Sequence, residues 1–287
     1  MTGTTVRPMT GRICVVTGAS SGIGKATSIA LAGLGARVVL VCRDPARGEQ
    51  ALSEVATAGD QAPKPSLELA DLSSLEQVRA LAARLNLLPR IDVLINNAGL
   101  VVAKRQLTAD GFEHTLTVNH LAPFLLTNLL LPVLRASAPS RVVTVSSIAH
   151  RSALLNLNNL GLEGSYLAMR AYSNSKLANV LFTRELASRL AGTEVTANCL
   201  HPGTIRTRFG DTGALWLRLG LAIGGGFLGT AEAGARTVVF LATSPDVAGQ
   251  TGGYYVNCKR RQPSRTAGSD VLAGRLWEIS AELTGLD

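Results

Sequence analysis

Seven short apolar, β-branched runs constrain this chain more than any other feature: RICVVTG (12–18), ARVVLVCR (36–43), SLELADL (66–72), IDVLINNAG (91–99), SRVVTVSS (140–147), EVTANCLHPG (194–203) and GGYYVN (252–257). Runs this apolar leave no side for solvent. Each reads as a strand buried on both faces, as in a parallel sheet covered by helices. Segments long enough for crossover helices lie between them, at 22–34, 45–58, 74–87, 110–135, 171–190 and 230–243. This alternation predicts an α/β fold, a doubly wound, mainly parallel seven-stranded sheet with helices on both faces. No Pro/Gly/Ser-rich linker or internal repeat divides the 287 residues, so a single domain is expected.

Two segments break the alternation. Residues 148–170 and 208–229 would both leave the sheet at the carboxyl ends of strands, where open α/β sheets bind ligands. They are expected to form a pocket wall and a lid. The stretch ALWLRLGLAIGGGFLG (214–229) is apolar apart from Arg218, too short and glycine-rich for a transmembrane span. A lid over a hydrophobic pocket is the expectation, with shallow membrane-surface contact as the lesser reading.

The first strand runs into TGASSGIGKA, followed by a helical pattern. Gly18, Ser20, Ser21, Gly22, Ile23 and Gly24 are the candidate cradle for a pyrophosphate, which would sit on the free N–H groups of the helix start. At the end of the second strand, Arg43 precedes Asp44. An arginine there can pair with a 2′-phosphate, whereas an acid would accept from the ribose hydroxyls. The order favours NADP(H) and leaves NAD(H) open. Asp71, with Leu72 beside it, could bond the adenine or cap the next helix. Asn97, Ala98 and Gly99, in NNAG, are small residues where a cofactor would pass, with a structural turn as the competing explanation.

Tyr172 and Lys176, in AYSNSK, stand four residues apart and so share a helix face. A neighbouring cation lowers the pKa of a phenol and makes it a usable acid or base nearer neutrality. TGASSGIG, NNAG, Asn119 in TVNHLAPF, Ser147 in VTVSSIAH, AYSNSK and HPGTIRT follow one another in order. In these motifs the chain resembles the short-chain dehydrogenase/reductase superfamily over nearly its whole length. RDPARG, SSIAH, HPGT and the tail RLWEISAELTGL resemble its retinol dehydrogenase-like branch. The resemblance implies a single Rossmann-type domain and assigns roles. Tyr172 would exchange the proton with the substrate oxygen. Lys176 would hold the nicotinamide ribose and depress the tyrosine's pKa. Ser147 would hydrogen-bond the substrate oxygen, and Asn119 would position a relay water. Pro202, Gly203 and Thr207 would line the nicotinamide. The substrate implied is a lipophilic alcohol or carbonyl of retinoid, steroid or fatty type; the alternative is a nucleotide-binding sensor of the same fold without turnover.

The formal net charge of +8 raises the question of nucleic acid, but the arginines are dispersed and aromatics make up 4%, so no nucleic-acid partner is expected. The histidines show no metal-ligand spacing, and no metal site is expected. Cys14, Cys42, Cys199 and Cys258 read as reduced thiols. With no signal-peptide-length run at the N-terminus, they point to a cytoplasmic protein. The helix at 110–135 and the helix bearing Tyr172 are more apolar than crossover helices need. Family members commonly pair through these two helices, which implies a homodimer or homotetramer; burial within one subunit would read the same.

Overall fold

Alternate residues of β1 (Ile13–Thr17) enter opposite layers, Ile13 and Val15 one core and Cys14 and Val16 the other. That is the two-residue period of a strand with no solvent face. The structure is a computed structural model that describes residues 7–60, 62–203 and 229–286. Thr207 and the expected lid, except Gly229, lie outside the described residues.

The strands that follow are β2 (Arg37–Cys42), β3 (Ser66–Leu69), β4 (Val93–Asn96), β5 (Ser140–Val145), β6 (Val195–His201), β7 (Tyr254–Val256) and β8 (Lys259–Arg261). The sheet order is β3-β2-β1-β4-β5-β6-β7-β8, parallel except between β7 and β8. Eight strands replace the seven expected. Asn257 and Cys258 both take positive φ, 50° and 59°, which turns the chain in two residues and lays β8 back on β7. Lys259, Arg260 and Arg261 are all exposed, and a charged edge strand of this kind resists pairing with another chain. It also has no apolar run, which is why the sequence pattern passes over it.

The helices are α1 (Gly22–Gly33), α2 (Pro45–Ala58), α3 (Leu75–Leu85), α4 (His114–Ala136), α5 (Ala168–Arg189), α6 (Ala231–Thr243) and α7 (Asp270–Thr284). Helices α1, α2 and α6 cover one face of the sheet, and α3, α4, α5 and α7 the other. Within α4, Thr117–Leu121 is wound as π-helix, and Asn119 lies at its middle. Pro123 follows, with no N–H to offer the Asn119 carbonyl four residues back.

Helix α7 answers the apolar surplus of α4 and α5. The Trp277 ring lies 4.9 Å from Phe124 and 5.9 Å from Phe182, and those two rings meet at 5.5 Å. The Arg189 guanidinium sits over the indole, 4.4 Å from the ring centroid. Each such ring pair adds about 0.5–1.5 kcal/mol beyond the area it buries. Part of the apolar surface of α4 and α5 is thus covered by the chain's own C-terminal helix. Among the described residues, α4 is the helix long and apolar enough to cross a membrane, and it is buried between the sheet, α3 and α5.

Candidate active site

The strand order reverses between β1 and β4, and the crevice at their carboxyl ends is where the predicted residues gather. Three tight contacts shape its floor. Gly18 has φ 66°, and a side chain there would meet the Ala98 Cα at 2.9 Å. A Cβ on Gly24 would stand 2.3 Å from the Gly18 carbonyl oxygen and 2.5 Å from Asn97 Nδ2. The buried Thr17 hydroxyl accepts from the N–H groups of Asn97 (3.0 Å) and Ala98 (3.1 Å), locking the two loops together.

The loop fits a dinucleotide pyrophosphate on a second count. Side chains cap the N-termini of α2, α3, α4, α6 and α7, whereas α1, behind Ser21, and α5, behind Leu167, have no side-chain cap. Ser20, Ser21, Gly22 and Ile23 are half-buried at the start of α1, whose free N–H groups can receive an anion. The Asn97 side chain has a structural bond beside the expected cofactor path. Its Nδ2 donates to the Thr17 carbonyl at 2.8 Å, so this side chain braces the cradle from below.

Asp44 and Arg43 divide the end of β2. The Asp44 carboxylate accepts from the Arg47 N–H at 2.9 Å and caps α2. Arg43 is exposed and has no hydrogen bond or ion pair among the described residues. Asp71 does not cap α3. Ser74 does, while Asp71 Oδ1 accepts from the N–H and hydroxyl of Ser73 (2.9 and 2.8 Å). Leu72, Ala98 and Val118 line a recess beside it.

The four catalytic candidates come together on the substrate side. Ser147 leaves β5 in extended geometry, and its hydroxyl accepts from the Ala149 N–H at 3.2 Å and hydrogen-bonds Tyr172. Its neighbour Ser146 points away, donating to the Lys176 carbonyl at 2.7 Å from a buried position. Lys176 Nζ is buried and donates to the Val145 carbonyl at 3.0 Å. Asn119 clamps the backbone of Leu100, accepting its N–H at 2.8 Å and donating to its carbonyl at 2.9 Å. Gly99 lies between the two. A Cβ there would be 3.2 Å from Lys176 Nζ and 3.3 Å from Asn119 Oδ1.

The electrostatics correct one expectation. Burial lowers the Lys176 pKa to about 8. The Tyr172 pKa is raised rather than lowered, because burial of the phenolate outweighs the opposing hydrogen bond from Ser147. Lys176 Nζ stands 5.6 Å from the phenol ring centroid with one of its N–H groups on the Val145 carbonyl, and burial of the phenol prevails over it.

Pro202 and Gly203, with φ 94° at the glycine, close β6 at the crevice edge. The wall at 148–170 is pinned across the crevice: Tyr166 donates to the Val102 carbonyl at 2.7 Å, and Arg105 Nε to the Gly161 carbonyl at 2.9 Å. Ser175 is the site residue that sequence reasoning missed. Its hydroxyl accepts from Asn119 Nδ2 at 3.0 Å and donates to the Tyr172 carbonyl at 2.7 Å, joining α4 to the catalytic helix. Its position beside Lys176 in AYSNSK is the signal that could have found it. The described residues hold no cluster of metal-ligating side chains.

Residues 12–215 match the family described as short chain dehydrogenase. Human retinol dehydrogenase 14 is 45% identical, over 97% of this chain and 88% of its own. A crystal structure of an uncharacterized protein from Mycobacterium paratuberculosis shares 36% identity at a TM-score of 0.79, over 97% of this chain and 96% of that one. A short chain dehydrogenase from Escherichia coli, solved with NADPH, shares 26% identity at a TM-score of 0.69, over 89% of this chain and 100% of that one. The chain belongs to the short-chain dehydrogenase family, in its retinol dehydrogenase-like branch.

Proposed function

We propose that this oxidoreductase prefers NADP(H) and interconverts a hydrophobic alcohol with its aldehyde or ketone. The division of labour at β2 carries the nucleotide preference. Asp44 is engaged as a helix cap, so the group left to meet the adenosine ribose is the uncommitted guanidinium of Arg43. A guanidinium pairs with a phosphate in two parallel hydrogen bonds, whereas it gains little from a neutral hydroxyl. The Escherichia coli neighbour solved with NADPH supports the same reading.

The bound nicotinamide supplies the hydride exchanged with the carbon that bears the substrate oxygen. The chain's own groups handle that oxygen and its proton. Ser147 donates a hydrogen bond to the oxygen and stabilises charge that develops there. Tyr172, hydrogen-bonded to Ser147, gives the proton in reduction and takes it in oxidation. Lys176, whose pKa burial brings to about 8, is mainly an ammonium at neutral pH and would hold the ribose hydroxyls of the nucleotide. The Asn119 carbonyl, which Pro123 cannot serve, positions a water that passes the proton outward.

Substrate class follows from the rim. Ile148 stands exposed beside Ser147, and Leu167 and Met169 stand exposed just before Tyr172. Leu154, also exposed, is held to the catalytic helix by Asn174. Large apolar side chains around a catalytic crevice suit a lipophilic chain better than a sugar or a hydroxy acid. The test is to titrate the protein with NADPH and NADH by fluorescence, then follow NADPH oxidation with retinoid, steroid and fatty carbonyls. Failure to bind either nucleotide would sink the reading.

A further inference from the structure

His150 is buried three residues beyond the catalytic serine, and neither the hydride nor the proton path uses it. Its two ring nitrogens meet two backbone groups from different parts of the chain. Nδ1 lies 2.7 Å from the Ser147 carbonyl oxygen, and Nε2 accepts from the Ser264 N–H at 3.0 Å. A backbone carbonyl can only accept and a backbone N–H can only donate, so the hydrogen is on Nδ1 and Nε2 is bare. The Tyr254 ring packs edge-on at 4.9 Å, and burial lowers the His150 pKa, in keeping with a neutral ring.

We propose that His150 is a positioning residue for Ser147, holding the serine's backbone carbonyl through Nδ1 while the Ser264 N–H fixes the ring's tautomer, and so setting where the serine hydroxyl meets the substrate oxygen. The inference rests on the reading of Ser147 as the group that holds that oxygen. The Ser147 carbonyl accepts twice from His150, from the backbone N–H at 3.2 Å and from the ring. On the other side the Ser147 hydroxyl is held by the Ala149 N–H and by Tyr172. Held from both sides, the residue is fixed within the tolerance that reaction geometry demands, where a shift of about 1 Å can cost on the order of 100-fold in rate. Arg151 ties the same turn to the same distant segment, donating to the Gln262 carbonyl at 2.7 Å.

Three variants and one spectrum test this. His150→Ala is expected to lower kcat at least tenfold while the NADPH dissociation constant stays within twofold. His150→Asn places an amide nitrogen near the former Nδ1 and should recover most of the lost kcat. His150→Gln reaches toward Ser264 instead and should not. Nitrogen-15 spectra of the histidine rings, with His150 assigned by its loss in His150→Gln, should show the Nδ1–H tautomer. The proposal is overturned if His150→Ala keeps its kcat, if Gln restores turnover as well as Asn, or if the tautomer is Nε2–H. A wild-type protein that turns over no carbonyl would remove the functional reading itself, and this proposal with it. That failure is told apart because it needs no variant to be seen.

Discussion

Lys176 and Tyr172 share a helix face, yet the lysine's Nζ lies 5.6 Å from the phenol ring centroid and donates to the Val145 carbonyl. The ammonium is thus held in the interior by a backbone oxygen, and burial brings its pKa down to about 8. The unfolded value is ~10.4. Between these two values the unfolded chain binds more protons than the folded one, so this group makes stability rise with pH in that window. Below about pH 8 both states hold the proton, and the cost of burying the charge, on the order of 3 kcal/mol, applies in full. Lys176→Met removes that cost along with a hydrogen bond worth about 1 kcal/mol. The variant should be inactive and more stable than wild type at pH 7 by about 2 kcal/mol, the advantage fading toward ~pH 10.4. Urea unfolding of both proteins at several pH values checks it, and a wild type at least as stable at pH 7 would refute it.

Ser147 acts twice on the reaction, once on the substrate oxygen and once on Tyr172. Its hydrogen bond opposes the upward shift that burial imposes on the phenol. Ser147→Ala should therefore lower kcat by ~100-fold or more and also move the rising limb of alcohol oxidation, where the phenol must lose its proton, to higher pH. Tyr172→Phe should lower kcat by at least ~100-fold, with nucleotide affinity nearly intact. Steady-state rates across pH, beside fluorescence titration with NADPH, separate the two effects. An unmoved limb in Ser147→Ala would show that the serine does not tune the phenol.

Arg43 and Asp44 are neighbours with separable effects. Arg43→Ala should reduce the NADPH-to-NADH ratio of kcat/KM by tenfold or more, about 1.4 kcal/mol. Asp44→Ala removes the cap at the Arg47 N–H and should cost ~1 kcal/mol of stability, leaving NADPH preferred. Kinetics with both nucleotides and thermal melts of the two variants check this. A ratio that collapses in Asp44→Ala would overturn the assignment.

Residues whose type is dictated by chemistry or close packing were legible in the sequence. Gly18 and Gly24 leave no room for a Cβ, and Tyr172 and Lys176 need a fixed helical spacing, so each left a pattern in the chain. What depends on neighbours distant in sequence was not legible. Ser146 and Ser147 are the same residue type side by side, and the structure sends one hydroxyl to the Lys176 carbonyl and leaves the other to Tyr172. The tyrosine's raised pKa follows from how deeply the fold buries it, which spacing cannot convey. Strand β8 exists because two residues in the left-handed region return the chain to β7, and its charged sequence carries no strand signal. The bracing bonds of the Asn97 amide were likewise not legible, since which way it faces is decided by the carbonyls of Thr17 and Gly18.

Helix α7 bears on assembly. An apolar face on α4 and α5 reads the same whether a second copy or the chain itself covers it. Here Trp277 packs against both Phe124 and Phe182, and His120 meets Ser280 at 2.9 Å. With that face occupied, the protein is expected to behave as a monomer in light scattering at micromolar concentration. Leu276, buried at the same contact, makes a second check. Leu276→Ala should cost about 2–5 kcal/mol, because the cavity opens between three helices that cannot all collapse on it. If the face served a dimer instead, the loss would depend on protein concentration, since dissociation would be part of unfolding. Melting curves of wild type and variant over a hundredfold range of concentration distinguish the two, and a concentration-dependent midpoint would refute the covered-face account.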